Sequence, residues 1–333
     1  MSDYSGHPMQ VLRRLIVLST LLLTASSACA EDFPRKIEHR YGSTVVTAKP
    51  GRVVTLSYIG HDFALALGIK PVGLRYWYGN NPKGVWPWAE KALGDEVPVV
   101  LSGQVDLERI AALHPDLIEG MWSGMTEAEY RFLSRIAPTL PPAADGGDYD
   151  MRWQEMTRVL GYATGRETVA KEIVDRLEGK FAAVRAAHPD WHTKTAVMAS
   201  IRGLETFTSR DVRSRFLTAL GFRTPDAVDA LAAGRSFYVR LSPEDLTPID
   251  TDVLIWLNSE KGRPEFASQP LYPFLRAVRT GREVHADVML SAALSHSSPL
   301  SLDYALSSLV PELEKVLAST SPSNAASAGG QNP

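Results

Sequence analysis

The sequence predicts an α/β protein built as two similar lobes joined by a single long helix. Three observations carry that prediction. Short apolar runs alternate with amphipathic stretches through the middle of the chain, the signature of βαβ units and parallel sheets. Two patterns recur in the same order in the two halves. Phe63-x-x-Ala66-Leu67-Gly68-Ile69 returns as Phe216-x-x-Ala219-Leu220-Gly221-Phe222. Glu108-x-Ile110-x-x-Leu113-x-x-Asp116-Leu117-Ile118 returns as Glu244-x-Leu246-x-x-Ile249-x-x-Asp252-Val253-Leu254, which points to a duplicated lobe. Between the halves, Val169, Ile173, Leu177, Phe181 and Val184 recur at spacings of three and four over residues 165–188, with Pro189 as a stop.

In chain order, residues 1–30 read as a secretory leader: Arg13 and Arg14 precede an apolar run from Leu15 to Leu23, and Ala28-Cys29-Ala30 is an A-x-A cleavage site. A membrane span needs ~20 apolar residues, and this run is far shorter. Cleavage after Ala30 is expected over lipidation at Cys29, because Ser26 stands where a lipobox takes an aliphatic residue. The first lobe is expected over 31–164. In it, strands are expected at 52–58, 71–76 and 116–119, and helices at 62–67 and 107–113, with Gly68 as a left-handed cap. Residues 165–188 form the linking helix, roughly 23 residues and ~35 Å long at 1.5 Å per residue. The second lobe, 189–318, carries strands at 195–200, Val253–Leu257 and Glu283–Ala286. Continuous apolar runs of this kind suit strands covered on both faces. Residues 319–333 are Ser, Ala, Gly, Asn, Gln, Thr and Pro without periodicity and read as a disordered tail.

Composition narrows the function. The 333 residues carry 35 Lys and Arg against 38 Asp and Glu, a net charge of −3, so the chain lacks the basic surplus that nucleic-acid backbones demand. The one cysteine, Cys29, excludes a disulfide framework and any CxxC metal or redox motif. No G-x-S-x-G elbow, P-loop, G-x-G-x-x-G or H-E-x-x-H motif occurs, which lowers the expectation of an enzyme without removing it. His188 and His192 are four apart, but Pro189 breaks the helix that would align them. No catalytic residue, resident metal or cofactor is expected.

Aromatic and arginine side chains gather instead at predicted strand ends, where open α/β sheets bind ligands. The candidate ligand contacts are Tyr58, Arg75, Trp77, Tyr78, Trp122, Arg202, Tyr238 and Trp256, with Tyr76 and His296 nearby. Aromatic faces offer contact area with some polar reach, and guanidinium forks hold anionic oxygens. Together they suit a bulky, polar, anionic ligand. Trp153 and Trp191 are expected in the core.

At this point the sequence resembles the ferric-siderophore-binding proteins of ABC importers, the class III periplasmic binding proteins that share a fold with cobalamin- and haem-binding receptors. The resemblance rests on Pro50-Gly51-Arg52-Val53-Val54-Thr55-Leu56, on Ala66-Leu67-Gly68-Ile69-Lys70-Pro71-Val72-Gly73, and on Val105-Asp106-Leu107-Glu108-Arg109-Ile110-Ala111-Ala112-Leu113-His114-Pro115-Asp116-Leu117-Ile118. Leu241-Ser242-Pro243-Glu244 and Ser298-Pro299-Leu300-Ser301-Leu302 extend it, so that it covers residues 33–318. It implies two Rossmann-like lobes joined by one long helix. It further implies a non-catalytic, monomeric periplasmic receptor that delivers a ferric siderophore to an inner-membrane ABC permease and its ATPase. It assigns permease docking to Glu108 and Glu244; both also fit as helix N-terminal acids, which favour the helix dipole. Ligand residues do not transfer by motif. Haem or cobalamin therefore stays open, with Tyr58, His61 or His296 as an axial ligand. An exported chelatase-like enzyme and a sensor module with a vestigial cleft also stay open.

Overall fold

The computed structural model describes residues 33–144, 147–200, 203–234, 236–258 and 267–318. The expected leader and tail lie outside these, as does Arg202. The described chain opens with an antiparallel hairpin, β1 (Arg35–His39) and β2 (Gly42–Val46). Arg35 of β1 is nearly buried and donates to the Tyr162 carbonyl and the Glu167 carboxylate, pinning the hairpin to the start of the long helix.

Two five-stranded sheets follow. The first holds β3 (Val53–Thr55), β4 (Gly73–Arg75), β5 (Val99–Leu101), β6 (Leu117–Glu119) and β7 (Thr139–Leu140) in the order β5-β4-β3-β6-β7, all parallel. The second holds β8 (Ala196–Ser200), β9 (Glu205–Phe207), β10 (Tyr238–Arg240), β11 (Val253–Leu257) and β12 (Glu283–Ala286) in the order β10-β9-β8-β11-β12. Here β8, β11 and β12 are parallel, while β9 runs antiparallel to both of its neighbours. In each sheet the earliest strand is central and the chain winds outward on both sides.

The internal repeat has a structural meaning. Asp116 accepts hydrogen bonds from the Gly51 and Arg52 amides just ahead of β3, at 2.7 and 2.8 Å. Asp252 accepts from the Thr195 amide and hydroxyl just ahead of β8, at 2.9 and 3.0 Å. Each aspartate therefore ties the start of the sheet's central strand to the neighbouring strand, β6 or β11. The Leu-Gly signatures end the helices Gly60–Ala66 and Val212–Leu220, where Gly68 and Gly221 have φ of +75° and +110°, a region that an L side chain rarely enters.

The linking helix runs Glu167–Ala187. Its buried face is Ala170, Ile173, Val174, Leu177 and Phe181, while Val169 is exposed. The stripe shifts by one position at its start because Ala170 packs where Gly161 of the helix Trp153–Ala163 has no side chain. Strand parity sorts the rest of the core. Val53 of β3 and Val253, Ile255 and Leu257 of β11 face one cluster shared by both halves; Val54 faces a separate outer cluster, and Leu254 and Trp256 face another. Packing adds a second brace: the helix Pro299–Ala318 packs against the helices Gly60–Ala66 and Pro87–Leu93 as well as against Val288–His296 and the long helix. No helix among the described residues is long and apolar enough to cross a membrane.

Candidate ligand-binding cleft

A cleft of about 490 Å³ opens between the two halves. Its first wall is built by the carboxyl ends of the first sheet: Tyr58 follows β3, Tyr76 and Trp77 follow β4, Gly103 follows β5, and Trp122 follows β6. That is where a parallel sheet frees its loops for a ligand. Tyr149 joins them, its ring 4.8 Å from that of Trp122. The facing wall is Asp211, Arg213 and Phe237, all from the connection between β9 and β10.

A buried carboxyl group sets the first wall. Glu119 ends β6 with no exposed surface. It accepts from the Ser57 hydroxyl and from the Met121 amide, the latter at 2.9 Å, and the Ser57 oxygen accepts from the Trp122 amide at 2.7 Å. Glu119 thus ties the turn that carries Tyr58 to the turn that carries Trp122. Burial pushes its carboxyl up to about 7, against the pull of the Ser57 and Met121 hydrogen bonds.

Of the eight sequence candidates, Tyr58, Trp77 and Trp122 line the cleft. Trp77 sits at the centre of the aromatic wall, 5.8 Å from both Tyr58 and Trp122. The Trp122 indole N–H is buried and lacks a partner among the described residues. Two candidates stand one layer back. Arg75 lies 4.3 Å from the Tyr58 ring centroid and reaches the Ser123 carbonyl at 3.4 Å; it stiffens Tyr58 from behind. Tyr78 is packed between Trp77 and Trp86 and bonds Ser295, and burial raises its hydroxyl pKa.

Two candidates are corrected by the second sheet. Trp256 is 1% exposed in the outer core and donates to Glu283 at 2.7 Å. As an even neighbour of Ile255 and Leu257, it points to the opposite face of β11. Tyr238 opens the edge strand β10 opposite Phe207, and the adjacent Phe237 takes the place in the cleft. The second half lines the cleft from the β9–β10 connection, which follows the reversed strand β9. Arg202 lies outside the described residues.

The cleft-lining residues outside the candidate set are Gly103, Tyr149, Asp211, Arg213 and Phe237. Arg213 is the informative one. Its Nη1 donates to both Asp211 carboxylate oxygens at 2.8 and 2.9 Å, its Nε donates to the Ser295 hydroxyl at 3.2 Å, and the guanidinium lies 4.1 Å over the Phe207 ring. The signal was present: Asp211 is an N-cap accepting from the Arg213 amide, which fixes both side chains at a helix start.

Behind the aromatic wall lies a buried polar cluster. Asp62 accepts from the Trp88 indole at 2.8 Å and from Ser298 at 2.5 Å, joining the first half to the final helix. His61 and His296 are 2% and 1% exposed, and neither lines the cleft. His296 is caged by Trp77, Trp86, Trp88 and Tyr78. Burial lowers the pKa of both imidazoles, that of His296 to about 4. The expectation that either could be an axial ligand at a cleft edge is therefore corrected; of the three, only Tyr58 reaches the cleft. No group of three or more metal-ligating side chains occurs among the described residues.

Residues 53–288 match the family model described as periplasmic binding protein. This chain belongs to the periplasmic binding protein family. The periplasmic binding protein described here is 27% identical over 297 residues to the probable siderophore-binding lipoprotein YfiY of Bacillus subtilis strain 168, covering 83% of this chain and 88% of that one. It is 26% identical over 292 residues to the ferric enterobactin-binding periplasmic protein FepB of Escherichia coli O6:H1, covering 82% and 90%. Its fold superposes with a TM-score of 0.73 on Streptococcus pneumoniae TIGR4 PiaA, solved in complex with ferrichrome, at 26% identity over 85% of this chain and 99% of that one. These relatives are binding proteins.

Glu108 and Glu244 occupy equivalent places in this fold. Each follows the strand at the same edge of its sheet, β5 or β10. Both are exposed, and neither carboxylate has a hydrogen-bond or ion-pair partner among the described residues. Glu108 lies in the first turn of the helix Leu107–Ala111. Glu244 lies in a turn bridged by Ser242 and Asp245, so it is not a helix N-terminal acid.

Proposed function

We propose that this periplasmic binding protein captures a ferric siderophore in the cleft between its halves and hands it to an inner-membrane ABC permease driven by a partner ATPase. The observation that carries the reading is the cleft wall itself: tilted and edge-to-face aromatic rings and a fixed Asp211–Arg213 pair around about 490 Å³. The rings pack against the organic frame of a chelate, while the Arg213 guanidinium meets its oxygens. A largely preformed cleft limits the ordering cost of binding. The relatives named for siderophores support the class of ligand. The protein acts by binding and carries no cofactor of its own; the iron arrives as part of the cargo.

The reading extends to the whole chain. The first lobe is 31–164, the linking helix 165–188, and the second lobe 189–318. The protein is exported to the periplasm and its leader is removed after Ala30, rather than retained through a lipid on Cys29. It works as a monomer. Glu108 and Glu244 dock onto cationic side chains of the permease, one from each lobe. The test is iron-chelate uptake in cells expressing Glu108→Arg with Glu244→Arg. Uptake should be lost while the purified double variant binds its chelate unchanged; full uptake would remove the docking assignment. Trp122→Ala should do the reverse and weaken chelate binding by roughly 10-fold or more, about the 1.5–3 kcal/mol of an aromatic contact surface.

A further inference from the structure

A second cavity, of about 460 Å³, opens beside the long helix and is walled by both halves. Its lining is mixed: the buried Phe181 of the long helix and Phe216 meet edge to face at 5.4 Å beside the half-buried Trp153, and Gln154, Thr218 and Ser297 add polar groups. Its rim is cationic. Arg215 is already held by the Asp150 side chain and, at 2.7 Å, by its carbonyl. The guanidinium groups of Arg152 and Arg210 are exposed and have no hydrogen-bond or ion-pair partner among the described residues. Two uncompensated cations therefore stand over an aromatic floor.

We propose that this cavity binds an amphipathic organic anion, with an apolar body on the Phe181–Phe216 floor and a carboxylate head between Arg152 and Arg210. The body gains from leaving water, and each guanidinium offers the planar fork that a carboxylate fits. The site is separate from the cleft although the two share a wall. Along one segment, Arg210, Val212 and Arg215 face this cavity, while Asp211 and Arg213 face the cleft. An anion here and a chelate in the cleft bind side by side, and this proposal does not depend on what the cleft holds.

The test is calorimetric titration of the purified protein with octanoate, 1-octanol and inorganic sulfate. One octanoate should bind saturably, with octanol and sulfate each at least about ten-fold weaker because each supplies only half of the recognition. Arg152→Ala with Arg210→Ala should weaken octanoate at least about ten-fold, and exposed, partnerless side chains can be removed with the melting temperature unchanged. Trp122→Ala, which alters the cleft, should leave octanoate affinity as it was. Octanoate binding that survives loss of both arginines, that is matched by octanol or sulfate, or that falls with Trp122→Ala would overturn the proposal.

Discussion

Glu119 and His296 are buried titratable groups, neither of which lines the cleft, and they pull the pH dependence of stability in opposite directions. The Glu119 carboxyl is raised from 4.5 to about 7 by burial. As pH climbs through that window the unfolded chain gives up the proton first, so the folded state loses the stability that is fully present below pH 4.5. Glu119→Gln keeps an acceptor for Ser57 and Met121 and should remove that loss, visible as a flatter melting temperature between pH 5 and 8. The His296 imidazole is lowered from 6.5 to about 4 by burial. Below 6.5 the unfolded chain takes up a proton that the folded state refuses, so this contribution is lost as pH falls toward 4. His296→Gln should flatten the acid limb in the same melting series, and an unchanged acid limb would assign it to other groups. Sterics give a third handle on the same wall. A Cβ at Gly60 would overlap the Glu119 carboxylate, so Gly60→Ala should lower the melting temperature and, by shifting Glu119, loosen the Tyr58 and Trp122 turns and weaken chelate binding.

The repeated aspartates hold at the scale of the elements. Burial alone would raise Asp252, but hydrogen bonds from Thr195 and Arg276 bring its pKa below the usual carboxylate value. Asp252→Ala leaves the Thr195 amide without its acceptor, which should cost about 1–3 kcal/mol, read as a melting temperature lower by several degrees; no change would mean that the repeat is not a structural clamp. The central strands, the long helix and the two Leu-Gly caps were legible because local patterning dictates them. The strands β5, β7, β9 and β10 were not, since they lie at or next to the sheet edges and owe their pairing to neighbours far along the chain. The cleft divided along the same line. Tyr58, Trp77 and Trp122 were readable as residues at the ends of parallel strands. Trp256 was misplaced because its face depends on strand parity, and Arg213 and Phe237 were missed because they lie in the long β9–β10 connection, not at the end of a parallel strand.

The whole molecule is tied more tightly than two lobes on a strut. One core cluster runs from Val53 and Leu117 in the first half through Leu160, Leu177 and Leu309 to Met198 and Ile255 in the second. Asp62 and Ser298 join the halves again behind the cleft. Calorimetry should therefore show one cooperative unfolding transition rather than two, and a resolved pair of transitions would show that the halves fold apart. The same bracing limits hinge motion, so affinity must come from the preformed aromatic wall. Tryptophan fluorescence tests that claim most directly, because Trp77 and Trp122 form the wall. The purified protein is titrated with ferric hydroxamate, ferric catecholate, ferric citrate, haemin and cobalamin, each siderophore also in its iron-free form. The account predicts saturable one-to-one quenching by a ferric chelate, at least about ten-fold tighter than by the same chelator without iron. Saturation by haemin or cobalamin alone, or no saturable response to any of them, would contradict it.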